Sequence, residues 1–167
     1  MPRTLSAVAY ETQGELVGGD MEFRDVSIDS RKLDTGALFV AIIGENFDGN
    51  DFVADAYSKG AAGAVVSRLT GVPLPQIHVS ETRPAFGNIA RAWRKNFSLP
   101  VVAVTGSNGK TTVKELVASI LRLNHNVCVT RGNLNNDLGV PLTLLRLRET
   151  HDVLVIELGA NHAGEID

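Results

Sequence analysis

Residues 101–121 carry the pattern that most constrains the fold of this chain. The apolar run "VVAV" at 101–104 predicts a strand buried in a sheet, and the glycine-rich segment "TGSNGK" follows it directly. Apolar residues then recur at the spacing of an amphipathic helix, and these are Val113, Leu116, Val117, Ile120 and Leu121. A strand, a glycine-rich turn and a helix in this order predict the first half of a parallel β-α-β unit.

The same alternation continues to the end of the chain. Strand patterns occur at 126–130 ("NVCVT") and 152–158 ("DVLVIEL"), and a helix pattern with Pro141 in its first turn lies between them at 139–147. This order predicts a doubly wound, mostly parallel sheet. Three strands would make a small sheet with an unprotected edge, so we expect the chain to be the front part of a longer protein.

Shorter elements alternate in the first half of the chain. Strand patterns lie at 25–28, 37–42, 64–66 and 75–79, and helix patterns lie near residues 5–9 and 51–61. We predict a small α/β domain over residues 1–82 and the start of the second α/β domain over residues 99–167. A connecting helix is predicted over residues 83–98, with an apolar stripe formed by Phe86, Ile89, Ala90, Trp93 and Phe97.

Composition narrows the class of protein. The net charge of −3 gives no strong attraction to nucleic acid, and apolar residues make up an ordinary 44% of the chain. The longest apolar run, at 37–43, is too short to cross a bilayer, and no signal peptide is visible. Cys128 is the only cysteine and is predicted to be a small buried residue. We expect a cytoplasmic monomer that does not insert into membranes.

The glycine-rich turn has the composition of a phosphate-binding loop. The usual spacing is G-x-x-x-x-G-K-[ST]; here Val104 replaces the first glycine, and Gly106, Gly109, Lys110 and Thr111 are retained. The glycines leave backbone N–H groups open to an anion, the lysine can reach the terminal phosphates, and the threonine can hold Mg²⁺. The alternative is an ordinary turn with an exposed lysine, but the flanking strand and helix favour a nucleotide site.

Glu157 ends the last predicted strand, at the edge where open α/β sheets collect their ligands. Its carboxylate is a candidate magnesium ligand, and a carboxylate that only caps the strand end is the alternative. The asparagine-rich segment at 130–141 suits either a polar ligand or an ordinary turn, and the same holds for 29–32 and 44–51. His162 has no visible partner in the sequence and is expected to be a polar surface residue.

Four segments together resemble the Mur ligase family. "TGSNGKTT" is similar to the shortened phosphate loop of Mur ligases and of the related folylpolyglutamate synthetases. "DSRKLDTGALFVAIIGENFDGNDF", "TRGNLNNDLGVPLTLLRL" and "VIELGANHAGEI" resemble the branch of the family that adds D-Ala-D-Ala to UDP-N-acetylmuramoyl-tripeptide. The resemblance implies an ATP- and Mg²⁺-dependent amide ligase of peptidoglycan synthesis, which works through an acyl phosphate. The third residue of the peptide, lysine or diaminopimelate, stays open.

The resemblance also implies roles for individual residues. Lys110 and Glu157 would be catalytic, and Thr111 and Glu157 would bind Mg²⁺. The loop that holds the ATP phosphates would consist of Thr105, Gly106, Ser107, Asn108, Gly109, Lys110, Thr111 and Thr112. The UDP portion of the substrate would contact Ser30, Arg31, Gly44, Asn46, Phe47 and Asp48. The muramoyl-peptide side would be formed by Asn133, Asn135 and Asn136.

Two alternatives remain open at this stage. One is a different Mur-type or folylpolyglutamate-type ligase, and the other is a nucleotide-binding module without catalysis. In the family, a further metal-binding histidine, a carbamylated lysine and a C-terminal domain complete the enzyme. We therefore expect residues 99–167 to be the first part of a central phosphate-loop domain, and the 167-residue chain to be unable to ligate by itself.

Overall fold

The computed structural model describes residues 3–159 of the chain. The chain divides into two compact units, Met1–Ile89 and Ala90–Asp167. Each unit is an α/β structure with a mostly or wholly parallel sheet, which confirms the predicted fold class. His162 lies outside the described residues.

Seven strands lie in the first unit between residues 3 and 89. They are β1 (Arg3–Thr4), β2 (Glu15–Val17), β3 (Glu22–Phe23), β4 (Val26–Ser27), β5 (Leu38–Val40), β6 (Gly63–Val66) and β7 (Gln76–His78). Five of them form one sheet in the order β2-β7-β6-β5-β4, in which only β2 is antiparallel to its neighbour. β1 and β3 form a separate antiparallel pair. The sequence pattern does not predict β1, β2 and β3, because two or three residues are too few to show an alternation.

Helices and short turns lie between these strands, and one helix follows the last of them. The helices are α1 (Leu5–Thr12), α2 (Val53–Ser58) and α3 (Thr82–Arg94), and two 3₁₀ turns span Ser30–Lys32 and Gly49–Phe52. Every residue of β5 and β6 is buried, as continuous apolar strands in the middle of a parallel sheet require. One apolar cluster packs α2 against these strands and consists of Leu33, Ala37, Phe39, Ala41, Val53, Ala56, Ala64, Val66 and Leu74.

The described part of the second unit, residues 90–159, is built around a three-stranded parallel sheet. Its elements are β8 (Val101–Val104), α4 (Lys110–Leu121), β9 (Val127–Val129), α5 (Gly139–Leu145) and β10 (Val153–Glu157). The strand order is β8-β10-β9, so the last strand lies between the other two. All five residues of β10 are buried, and Glu157 is in register with Val104 at the end of β8. Cys128 on β9 is buried as predicted, and this burial raises the pKa of its thiol.

Two predictions about burial in this unit are wrong. The apolar pattern predicts a buried β8, but Val101 is 43% exposed because β8 has only β10 as a neighbour among the described residues. The buried face of α4 is also displaced by one residue from the predicted stripe. Val117 and Leu121 pack against the core as expected, whereas Val113, Leu116 and Ile120 are exposed. The fully buried residues of α4 are Lys114 and Ala118.

The aromatic residues of the predicted connecting helix lie in cores. α3 ends at Arg94, four residues before the predicted boundary, and the Arg94 guanidinium donates to the carbonyl oxygens of Phe97 and Leu99 beyond it. Trp93 packs edge-on against Phe97, with 5.3 Å between the ring centroids. Its indole N–H donates to Leu147 O at 3.2 Å. Trp93 is therefore a core residue, as predicted. No helix within residues 3–159 combines the length and apolar character needed to cross a membrane.

Asp29 organises the first 3₁₀ turn. Its Oδ1 accepts a hydrogen bond from Arg31 N at 3.0 Å, which caps the turn. The guanidinium of Arg31 donates to both carboxylate oxygens, at 2.8 and 3.0 Å. The side-chain hydrogen bonds from Arg31 are the main reason that the pKa of Asp29 falls from 3.8 to about 2. The folded protein therefore prefers the ionised carboxylate more strongly than the unfolded chain does.

This preference predicts a pH-dependent stability. Because the folded pKa is depressed, the contribution of Asp29 is fully present above pH 3.8 and is lost as the pH falls toward about 2. Melting temperatures of the wild type and of Asp29→Asn should differ most near neutral pH and converge over that window. In an Arg31→Ala background, the pH-dependent difference caused by Asp29→Asn should become smaller, because the largest cause of the lowered Asp29 pKa is removed while the backbone hydrogen bond from residue 31 remains. A wild-type-to-variant gap that stays constant down to pH 2 would contradict this assignment.

Residue 49 must be glycine because neighbouring backbone atoms leave no room for a Cβ. A Cβ at this position would lie 2.4 Å from Ile42 O and 2.5 Å from the carbonyl carbon of Ala41. Gly49→Ala must therefore shift the backbone, and we expect a loss of about 1–3 kcal/mol in the free energy of unfolding. Gly71→Ala is the matched control, because no atom lies within 4 Å of the point that its methyl group would occupy. Urea denaturation of both variants checks the difference, and equal stabilities would refute the steric explanation.

Candidate functional site

The loop between β8 and α4 has the geometry of an anion cradle. Gly106 and Gly109 have φ angles of 142° and 74°, which favour glycine because a Cβ disfavours this region. Gly109 is the N-cap residue of α4, so the first N–H groups of a twelve-residue helix open onto the loop. The Lys110 ammonium lies over the same loop and donates to Gly106 O at 2.7 Å. Helix amides, helix dipole and lysine together favour a bound phosphate.

A cavity of about 340 Å³ lies at this loop. Its lining residues are Ser107, Asn108, Gly109, Lys110, Thr111, Thr112, Asn133, Asn135 and Glu157. The cavity thus brings together most of the residues predicted for the nucleotide, for the metal and for the peptide side. Thr105, Gly106 and Asn136 are not among its lining residues in the described part of the chain.

Glu157 has two carboxylate oxygens in different surroundings. Oε1 accepts hydrogen bonds from the Thr111 hydroxyl at 3.2 Å and from Asn135 Nδ2 at 2.8 Å. Oε2 is buried, and no donor within residues 3–159 forms a hydrogen bond with it. The backbone N–H of Glu157 donates to the Thr130 hydroxyl at 3.0 Å, which holds the end of β10 in place. The strand therefore presents one carboxylate whose position is fixed and whose second oxygen lacks a hydrogen-bonding partner.

These residues fit a magnesium ion. A buried carboxylate oxygen without a donor is the kind of atom that a cation satisfies, and a threonine hydroxyl contacts the same carboxylate. No group of three or more His, Cys, Asp or Glu side chains that could hold a metal occurs within residues 3–159. This sparse set suits Mg²⁺, which is usually held by one or two carboxylates together with substrate phosphates and water.

Lys114 is a component of the site that the sequence analysis missed. Its side chain has no exposed surface, and its Nζ lies 3.7 Å from Glu157 Oε2. The same ammonium donates to Thr130 O at 2.9 Å and to Gly132 O at 2.6 Å. A signal was present in the sequence, because residues 114, 117, 118 and 121 share one helical face. This face is not recognised as the buried one because it includes Lys114, and lysine is normally exposed.

The three asparagines of the segment at 130–141 have different surroundings. Asn133 and Asn135 line the cavity, and the backbone carbonyl of Asn135 also accepts a hydrogen bond from Gly159 N at 2.8 Å. The Asn136 side chain instead accepts from Gly139 N at 2.9 Å and so supports the start of α5. The structure therefore shows a local structural role for Asn136, and its predicted contact with the peptide substrate stays a prediction.

A second cavity, of about 540 Å³, lies in the first unit. Its lining residues are Ile28, Asp29, Ser30, Arg31, Phe39, Phe47, Gly49, Phe52 and Asp55. Three of the residues predicted to contact UDP, namely Ser30, Arg31 and Phe47, are in this set. Phe47 and Phe52 are 53% and 39% exposed, so two aromatic side chains are available to a ligand.

The other predicted UDP contacts lie outside this lining. Gly44 and Asn46 belong to a tight turn in which Gly44 N donates to Phe47 O at 2.9 Å. Asp48 caps the second 3₁₀ turn by accepting from Asn50 N at 2.9 Å, and this backbone hydrogen bond is the largest cause of its lowered pKa. Their roles in the structure are to shape the loop that carries Phe47.

Family comparisons cover nearly all of the chain. Residues 22–105 match the Mur ligase family, catalytic domain, and residues 104–167 match the Mur ligase middle domain. The chain is similar to the UDP-N-acetylmuramoyl-tripeptide--D-alanyl-D-alanine ligase of Escherichia coli, with 52% identity over 98% of the chain. It shares 37% identity with the Bacillus subtilis protein of the same name. The chain spans 36% and 37% of the length of these two relatives.

Solved structures agree with the sequence matches. A crystal structure of MurF from Acinetobacter baumannii superposes with a TM-score of 0.92 at 42% identity, over 99% of this chain and 38% of that one. MurF ligase from Thermotoga maritima in complex with ADP superposes with a TM-score of 0.78 at 36% identity, over 86% of this chain and 34% of that one. The phosphate loop, the fold and these matches lead to one assignment: the chain belongs to the Mur ligase family.

Proposed function

We propose that this chain provides the substrate- and ATP-binding parts of a ligase that adds D-Ala-D-Ala to UDP-N-acetylmuramoyl-tripeptide. The observation that carries the proposal is the cavity in which the phosphate loop, Thr111 and Glu157 meet. The names of the relatives supply the substrates, since the Escherichia coli and Bacillus subtilis proteins are both named UDP-N-acetylmuramoyl-tripeptide--D-alanyl-D-alanine ligase. The reaction belongs to peptidoglycan synthesis, and we place the protein in the cytoplasm as a monomer.

The chemistry requires activation of a carboxylate. A carboxylate is a poor electrophile at neutral pH, so the peptide carboxylate first takes the γ-phosphoryl group of ATP and becomes an acyl phosphate. The amine of D-Ala-D-Ala then attacks the acyl carbon and phosphate leaves, which yields the new amide, ADP and phosphate. Catalysis of phosphoryl transfer depends mainly on positioning and on charge stabilisation.

The residues of the second unit can perform both tasks. The amides at the start of α4 hold the phosphate oxygens, and Lys110 balances negative charge on the transferring group. Thr111 and Glu157 would hold Mg²⁺, which neutralises phosphate charge when it is bound. Asn135 keeps the Glu157 carboxylate in place through the hydrogen bond to Oε1. In support, the related Thermotoga maritima ligase was solved in complex with ADP.

The first unit is proposed to bind the UDP portion of the substrate. Phe47 and Phe52 line its cavity and are exposed, so the apolar face of a ring of the ligand could pack against them. Arg31 offers a planar guanidinium suited to a diphosphate. That guanidinium is paired with Asp29 in the structure, so a phosphate would have to share or replace this partner.

The alternatives have less support. A ligase that adds diaminopimelate shares only 20% identity with this chain, so its TM-score of 0.61 reflects a common fold. A module that only binds a nucleotide at the phosphate loop would not account for the second cavity, at Ser30 and Arg31. Specific binding of a UDP-muramoyl peptide would count against such a module.

Lys110 is expected to dominate nucleotide affinity. Lys110→Ala removes the cation over the loop, and we expect ADP to bind about 10- to 100-fold more weakly, as for other charged hydrogen bonds. Isothermal titration calorimetry with ADP and Mg²⁺ measures the effect. Lys95→Ala is the matched control, because it removes an exposed cation of the same unit outside the cavity. Equal losses in the two variants would show that only net charge matters.

Arg31 is expected to control affinity for the UDP-linked substrate. Arg31→Ala should weaken binding of UDP-N-acetylmuramoyl-tripeptide about tenfold or more, because a bidentate charged contact is lost. Calorimetry with the tripeptide substrate and with free UDP tests this expectation. Lys32→Ala removes the neighbouring exposed cation, which does not line the cavity, and should bind normally. Wild-type affinity in Arg31→Ala would refute the assigned UDP contact.

A further inference from the structure

A buried ammonium group links three parts of the second unit. Lys114 lies on α4, one turn beyond Lys110, and its side chain is completely buried. Its Nζ donates to the carbonyl oxygens of Thr130 and Gly132, which follow β9. It also lies 3.0 Å from Glu115 Oε1 and 3.7 Å from Glu157 Oε2. Helix, loop and strand end therefore meet at one positive charge.

This arrangement needs an explanation beyond packing. Burying a charged group is unfavourable unless hydrogen bonds and an opposite charge compensate it, and an apolar residue would fill the same space more favourably. Ala118 and Val117, the neighbours of Lys114 on the packed face of α4, are apolar. The ammonium has three N–H donors, and the two carbonyls together with Glu115 can use all of them. Glu157 Oε2 then lies near the positive charge without receiving a hydrogen bond.

The two carboxylate oxygens of Glu157 are consequently held in different ways. Oε1 is fixed by hydrogen bonds from Thr111 and Asn135, whereas Oε2 contacts the ammonium only through its charge. The carboxylate is oriented, and no hydrogen-bond donor within residues 3–159 occupies the lone pairs of Oε2. The same ammonium fixes the backbone that leads into Asn133 and Asn135, because Gly132 O accepts its shortest hydrogen bond, at 2.6 Å.

We propose that Lys114 is a positioning residue for the magnesium site: it orients the Glu157 carboxylate and anchors the Thr130–Gly132 backbone next to it. This inference rests on the proposed nucleotide function, because it concerns the same carboxylate. It assigns Lys114 no contact with substrate. A residue that acts through a metal ligand should affect the metal more than the nucleotide itself, and loss of such a partner commonly weakens metal binding about 10- to 100-fold.

The test compares ADP binding with and without Mg²⁺. Calorimetry of the 167-residue chain gives the dissociation constant for ADP in excess Mg²⁺ and in EDTA, and the ratio is the magnesium enhancement. Lys114→Met fills the site without the charge, and we expect the enhancement to fall at least about tenfold while the affinity for magnesium-free ADP changes little. Glu115→Gln removes the half-exposed partner of the same ammonium and should leave the enhancement unchanged.

Two outcomes would count against the inference. An unchanged enhancement in folded Lys114→Met overturns it, and an equal loss of ADP affinity with and without Mg²⁺ is such a result and would indicate a purely structural role. A wild-type chain that binds ADP neither with nor without Mg²⁺ contradicts the proposed function itself and removes the basis of the inference. This second result is distinct, because it appears before any variant is made.

A wild-type measurement covers the case in which Lys114→Met does not fold. The Nζ resonance of a buried, hydrogen-bonded lysine can be followed by ¹⁵N NMR during titration with ADP and then with Mg²⁺. We expect it to shift mainly in the magnesium step, because a metal bound to Glu157 would compensate the negative charge that faces the ammonium. If the loop amides respond to Mg²⁺ while the Nζ resonance stays constant, the inference is wrong.

Discussion

The parallel pairing of β10 with β8 is the constraint on which the candidate site depends. In this register Glu157 lies beside Val104, the last residue before the phosphate loop. The hydroxyl of Thr111, in the first turn of α4, then reaches the Glu157 carboxylate at 3.2 Å although the two residues are 46 positions apart. A slip of one residue in a strand turns every side chain to the opposite face, so this register decides whether a carboxylate meets the loop at all.

Buried polar residues of the second unit also hold the Glu157 carboxylate in place. Thr130 is fully buried, accepts a hydrogen bond from the backbone of Glu157 and offers its carbonyl to Lys114. Asn135 reaches the carboxylate from the adjoining loop. Buried polar groups are tolerated when their partners are present, and a network of this kind fixes one geometry. The unit therefore combines an apolar sheet with a polar cluster at the carboxyl ends of its strands, where the ligand of an open α/β sheet binds.

The sequence predicted those parts of the structure in which local pattern and burial agree. The continuous apolar runs in β5, β6 and β10 are identifiable because strands buried on both faces carry apolar residues at nearly every position, with Glu157 at the end of β10 as the exception. The phosphate loop and Glu157 could be found from their positions. The glycines and the lysine lie between a strand and a helix, and the carboxylate lies at the end of a strand. β1 to β3 were missed, since their pairing partners rather than their residues define them.

The errors in α4 have a specific physical origin. Hydrophobic periodicity assumes that charged residues face water, and Lys114 breaks that assumption because its charge is compensated by carbonyl oxygens and a carboxylate from distant segments. The inferred apolar stripe was therefore shifted toward Val113 and Leu116, which are exposed. Asn136 illustrates the complementary limit, since composition alone does not distinguish a ligand-binding amide from one that supports the start of a helix.

A crystal structure of the chain with ADP and Mn²⁺, with the metal located by its anomalous signal, would show whether the phosphate loop and Glu157 form one nucleotide site. We expect ADP phosphates on the loop at residues 105–112 and the metal between those phosphates, the Thr111 hydroxyl and the Glu157 carboxylate. Phosphates bound elsewhere, or a metal that contacts neither Thr111 nor Glu157 directly or through water, would contradict this expectation.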